Sequence, residues 1–105
     1  KESNVKLRKA KYGHLFRKQL KKIKGQELQN ILNKRDEILN CEDLTHYKNL
    51  TRNLKKFRRV HVNNSYVILF FGDDGTVYFV DYEHHDVIYR CSKKHFKKYQ
   101  DLKFK

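Results

Sequence analysis

Proline is absent from this 105-residue chain. Nothing in it therefore reads as a linker or tail of the proline-rich kind. Cysteine is nearly absent too: Cys41 and Cys91 are the only two, and they form no C-x-x-C pair. In a chain of this kind they read as reduced thiols rather than a disulfide framework. Long apolar runs are missing. No stretch approaches the roughly 20 apolar residues of a membrane span, and the N-terminal residues carry charge where a signal peptide would carry an apolar core. The expectation is a soluble, cytoplasmic protein that forms one domain over residues 1–105. Acidic residues are the last scarcity: 12 Asp and Glu stand against 25 Lys and Arg, for a formal charge of +13. Such a field draws polyanions. RNA, DNA, an anionic membrane surface and an acidic protein are all candidates, and charge alone does not choose among them. The bland alternative is a solvated, lysine-rich surface.

What is present falls into two periodicities. From His14 to Lys24 the apolar positions Leu15, Phe16, Leu20 and Ile23 line one face of a helix, and Gly25 stops it. Leu28, Ile31, Leu32, Ile38 and Leu39 predict a second helix from about Gln26 to Asn40, so the pair forms a helical hairpin. Before them, Val5 and Leu7 are the only hint of a strand in a basic, weakly patterned segment. Residues 41–56 lack clean periodicity and read as a connection pinned by Leu44, Tyr47, Leu50 and Leu54. Then the period changes. Phe57–Val62, Tyr66–Phe71 and Thr76–Tyr82 are rich in β-branched and aromatic residues. Asn63-Asn64 suits a tight turn because Asn tolerates positive φ, and residues 72–75 (GDDG) suit a second. A short fourth strand is expected near Val87–Tyr89. The predicted fold is α+β: an N-terminal helical hairpin packed on an antiparallel β-meander of three to four strands. The core is expected over about residues 14–90, with 91–105 a basic C-terminal extension whose Phe96 and Tyr99 spacing suggests a final short helix.

Alternation sorts the first long strand. Arg58, Val60 and Val62 share one face; Phe57, Arg59 and His61 share the other. The helices cover one face, and the valines make theirs the natural core. Arg59 and His61 then project together on the far face, with Cβ atoms roughly 6–7 Å apart, within reach of one phosphate. The middle strand is apolar on both faces, so its second face must be partly covered, by the tail or by a partner protein. After the third strand comes Glu83-His84-His85-Asp86. If this segment is extended, its two histidines point apart and only one enters a site.

This order of parts resembles the RelE/ParE toxin superfamily, and its archaeal members most. The stretch 57–71 (FRRVHVNNSYVILFF) is similar to that family's central strands. The stretch 84–89 (HHDVIY) is similar to its closing motif, and 48–59 (KNLTRNLKKFRR) to its approach to the first long strand. The resemblance spans about residues 14–90. It implies a toxin of a type II toxin-antitoxin system that cuts messenger RNA on the ribosome and is held inactive by an antitoxin protein. Carried over position by position, it assigns Arg59, His61, His85 (or His84) and Tyr89 to the catalytic site; beside them Lys55, Lys56, Arg58 and His84 are expected to contact RNA. Two positions depart from the family pattern. Val67 stands where many members have an arginine, and Ser65 where some have an acid.

The implied reaction needs no metal and no small-molecule cofactor. The RNA 2′-hydroxyl attacks the adjacent phosphorus and the 5′-oxygen leaves. Histidine suits the removal of the first proton and the donation of the second, so His61 and His85 take these tasks without a choice of which is base. Arg59 stabilises charge developing on phosphorus, and Tyr89 stacks on a base or orients the phosphate. Asp86 reads as a turn cap or ion-pair partner. Two other functions remain open: a non-catalytic RelE-fold domain that binds RNA or protein, and a ParE-like gyrase inhibitor. A zinc site from Cys41, His46, Cys91 and His95 has spacings looser than zinc sites use, the adjacent pair His84-His85 is no better as a chelate, and no metal is expected.

Overall fold

The computed structural model describes residues 8–41, 44, 47–49, 57–72 and 75–88. Strand β1 (Lys9–Tyr12) leads into helix α1 (His14–Leu20) and helix α2 (Gly25–Asn40). Strands β2 (Lys48–Asn49), β3 (Arg58–Val62), β4 (Tyr66–Gly72) and β5 (Thr76–His84) follow. The strands form one sheet in the order β1-β5-β4-β3-β2. The antiparallel meander β3-β4-β5 is there as the periodicity predicts. The fold is α+β, with the helical hairpin against it.

The sheet is wider than the pattern foretold. β1 adds to the far edge of β5 in parallel, with Lys9 opposite Thr76 and Tyr12 opposite Phe79. Its sequence alternates Lys9 and Lys11, both exposed, with half-buried Ala10 and Tyr12. Lysines along a solvent edge keep further strands from adding there. Tyr12 stacks on Phe16 and Phe79 at 5.9 and 5.6 Å between ring centroids, so the edge strand is held by aromatic packing as well as by its ladder. Val5 and Leu7, the positions singled out for a strand, lie outside the described residues.

Gly25 has φ of +69° and starts α2, so the break between the helices sits where only a residue without Cβ is unstrained. α2 has no basic residue in its last turn. Arg8, almost fully buried, supplies that charge from outside: its Nη1 donates to the Cys41 carbonyl, and its backbone N–H to the Leu39 carbonyl at 3.3 Å. A cation at a helix C-terminus is favourable to the dipole.

Two apolar layers flank the sheet. The larger lies under the helices and contains Phe16, Ile31, Ile38, Leu39, Val62, Ile68, Phe70, Phe79 and Tyr82. The smaller, on the other face, contains Phe57, Val67, Leu69, Val80 and Ile88, with Leu15, Phe71 and Val87 packed against it. The second face of β4 is therefore covered at least in part by the chain itself. Residues 85–88 form a helical turn that folds Val87 and Ile88 back over it. This corrects the fourth strand expected at Val87–Tyr89: the chain turns at His85, and β5 runs to His84 instead of ending at Tyr82. Val67, Ile68, Leu69 and Phe70 have no exposed surface at all.

Candidate functional site

The hairpin β3–β4 sets the site's frame. Val62 pairs with Tyr66, His61 with Val67, and Arg59 with Leu69. The loop between them carries positive φ at Asn63 (55°) and Asn64 (66°), the conformation that asparagine was expected to supply. Asn63 does more than turn the chain. Its Nδ2 donates to the Glu27 carbonyl (3.1 Å) and to the Tyr82 hydroxyl (3.0 Å), and its Oδ1 accepts from Asn30 Nδ2 at 2.7 Å. The Tyr82 hydroxyl in turn donates to Glu27 Oε2 at 2.9 Å. The hairpin tip is thus pinned to the start of α2. Burial and the Glu27 carboxylate push the Tyr82 phenol well above its ordinary value, so it stays neutral and keeps donating.

Across the sheet, the register continues from β4 to β5. Val67 faces Glu83 and Leu69 faces Asp81. Beyond Leu69 the register shifts: Phe70 pairs with Phe79, which leaves Val80 as the extra residue of a bulge. By alternation, Val80 and Asp81 then both turn to the face away from the main core, Val80 into the smaller apolar layer. Bulges re-aim side chains in this way beside functional sites. The outward face carries two rows across three strands: Arg59, Leu69, Asp81, and His61, Val67, Glu83. Asp81 is fully buried and accepts the Tyr82 backbone N–H at 2.8 Å. Glu83 accepts from Gln19 Nε2 at 3.1 Å, which ties the end of α1 to the margin of the site.

The helical turn at 85–88 brings the histidines in. The His85 backbone N–H donates to the Ser65 carbonyl at 2.8 Å, which anchors the turn beside the hairpin. The His61 and His85 rings then lie 6.4 Å apart, tilted by 56°. The sequence reading paired these two residues from different elements, and the structure brings them together with Arg59 two residues away on β3. His84 and His85 do not point apart. The condition for that was an extended chain, and the chain turns here; their rings stack at 4.6 Å with 28° between planes. His84 also meets Tyr66 edge-on at 5.5 Å.

Arg58 does not join the group. It shares the core-side face with Val60, and its Nη1 donates to the Tyr47 carbonyl at 2.8 Å. That hydrogen bond ties the guanidinium to the connection before β3. Lys55, Lys56 and Tyr89 lie outside the described residues, as do His46, Cys91 and His95 of the zinc alternative. Cys41 is half-buried. Sequence reasoning gave no role to Glu83, Asp81 or Gln19. The available signal was the alternation of Asp81 and Glu83 on one strand of a chain poor in acids.

No protein-family model matches the chain. A Methanocaldococcus jannaschii protein assigned as toxin RelE4 is 44% identical over 76 residues, which cover 70% of this chain and 79% of that protein. An uncharacterized Methanosarcina mazei protein is 43% identical over 76 residues, covering 70% of this chain and 85% of its own length. Among solved structures, a chain of the toxin-antitoxin complex RelBE2 from Mycobacterium tuberculosis superposes with a TM-score of 0.63 at 22% identity. The match covers 80% of this chain and 97% of that one. At that identity the likeness is one of fold.

Proposed function

This chain belongs to the RelE toxin family, and from that premise we propose that it is the toxin of a toxin-antitoxin pair and cleaves messenger RNA on the ribosome. The observation that carries the reading is the pair His61 and His85, 6.4 Å apart, with Arg59 on the same strand face as His61. Two imidazoles at that spacing can each lie within hydrogen-bond reach, roughly 2.6–3.2 Å, of atoms on one phosphodiester held between them. One takes the proton of the 2′-hydroxyl as the O2′–P bond forms. The other gives a proton to the 5′-oxygen as the P–O5′ bond breaks. Arg59 faces the phosphorus, where negative charge grows; a single such donor is typically worth about 3–4 kcal/mol of barrier. His84 and the lysines of the chain serve the RNA backbone, and the charge of +13 favours encounter with the ribosome.

The partner that fits is an antitoxin with acidic residues over the His61–Arg59 face, where its charge complements the toxin's. It has no need to cover the middle of β4, whose side chains are already buried.

Val67 favours a second reading. It is fully buried in the smaller apolar layer, where many family members present an arginine, and a domain so altered can bind RNA or protein without cutting. Mapping cuts on translating ribosomes separates the two. Wild-type protein should cleave, and an Arg59→Ala/His61→Ala double variant should lose at least about a hundredfold in rate. Folded wild-type protein that makes no cuts would leave the binding reading, and a gyrase supercoiling assay would then test the ParE-like alternative.

A further inference from the structure

We propose that His84, His85 and Asp86 form a binding site for a divalent transition-metal ion, and that its occupancy withdraws His85 from proton transfer. The second half rests on the nuclease reading; the first does not. Among the described residues, only here do three side chains of the metal-ligating types converge, with their donor atoms within 4.8 Å of one another. The helical turn creates the convergence by stacking two histidines that an extended strand would separate.

The donor atoms face one another. The His84 Nδ1 accepts the Asp86 backbone N–H at 3.1 Å. The same nitrogen lies 3.8 Å from Asp86 Oδ2. The other oxygen, Asp86 Oδ1, lies 3.0 Å from the buried Nδ1 of His85, an ion-pair distance rather than an aligned hydrogen bond. One carboxylate thus stands between two imidazole nitrogens.

Bound ions of this class sit roughly 2.0–2.2 Å from imidazole nitrogen and carboxylate oxygen, so the donors must draw in by about an ångström. Asp86 is exposed, with 63% of its side-chain surface accessible. Two nitrogens and one carboxylate suit zinc, nickel, cobalt or copper; magnesium and calcium prefer all-oxygen sets. The remaining coordination positions would go to water or to an RNA phosphate. Metal binding exchanges one modest backbone hydrogen bond at His84 for a coordinate bond.

The test is titration of Zn²⁺ alone into the full chain by calorimetry, with Co²⁺ absorption as a second probe, on wild type, Asp86→Asn and His84→Gln. All three should keep the same far-ultraviolet dichroism. One equivalent should bind the wild type, and each variant should lose at least about tenfold in affinity, as loss of a ligand requires. Equal binding by all three, or none by the wild type, overturns the site. Cleavage is then measured with and without saturating Zn²⁺. Cuts that stop with Zn²⁺ and return with chelator support the withdrawal of His85; cuts that continue at saturation overturn that half. Binding without any cleavage by the metal-free protein keeps the site and removes the nuclease reading instead.

Discussion

At the scale of single residues, the tyrosines that hold the site's frame respond to alkali. Burial, with Cys41 and Glu37 nearby, pushes the Tyr47 phenol up to about 12, and burial with Glu27 raises Tyr82 further. Both stay neutral when folded at a pH where an unfolded tyrosine, titrating near 10, gives up its proton. Their stabilising contribution is complete below about pH 10 and drains away as pH climbs through the folded values. Urea unfolding between pH 8 and 11.5 should show stability falling from about pH 10, and a Tyr82→Phe variant should fall less steeply. At pH 7 the same variant should lose only about 1 kcal/mol, the net worth of its hydrogen bonds. An unchanged alkaline slope would show that Tyr82 does not carry it. The site was partly legible at this scale. Arg59 and His61 follow from strand alternation, and His85 from a motif. The link between Glu83 and Gln19 was not legible, because it crosses from β5 to α1 and no local pattern encodes the contact, even though alternation marks Glu83 itself. Alternation also put Arg58 beside Val60, on the core side, where the structure has it.

At the scale of elements, the sheet's corners are the sensitive points. A Cβ on Gly72 would meet the Thr76 carbonyl oxygen at 2.4 Å, a backbone atom that cannot step aside. Gly72→Ala should therefore shift the β4–β5 ends and cost about 1–3 kcal/mol, read as a lower urea midpoint. Phe16 is 1% exposed and stacks on Phe79 at 5.5 Å between centroids. Phe16→Ala should cost about 3–5 kcal/mol. Small domains hold only about 5–15 kcal/mol, so that variant should sit near unfolding at physiological temperature, visible as a lowered Tm. The helices and the meander were legible because their apolar residues repeat with periods of 3.6 and 2. β1 was not, although Lys9 to Tyr12 alternate, because four residues give too short a run to read and their partner strand lies near the other end of the sequence. The turn at 85–88 was hidden for a different reason: its short run of apolar residues reads equally as a strand end, and the tertiary contact of Ile88 decides it.

At the scale of the whole molecule, the excess of 25 basic over 12 acidic residues sets how the protein meets RNA. Binding to single-stranded RNA should weaken linearly in log salt, with a slope of about −0.7 per phosphate neutralised. Fluorescence anisotropy between 50 and 300 mM salt measures it, and a flat profile would remove the electrostatic account. No described helix is long and apolar enough to cross a membrane. The parallel pairing of β1 with β5 has a last consequence, one of timing. Lys9 cannot find Thr76 until nearly the whole sheet has been synthesised, and His61 cannot meet His85 before residue 85 has left the exit tunnel. Long-range pairings of this kind close late in folding. A protein whose proposed target is the ribosome thus acquires its site only once residue 85 is clear of the ribosome that made it.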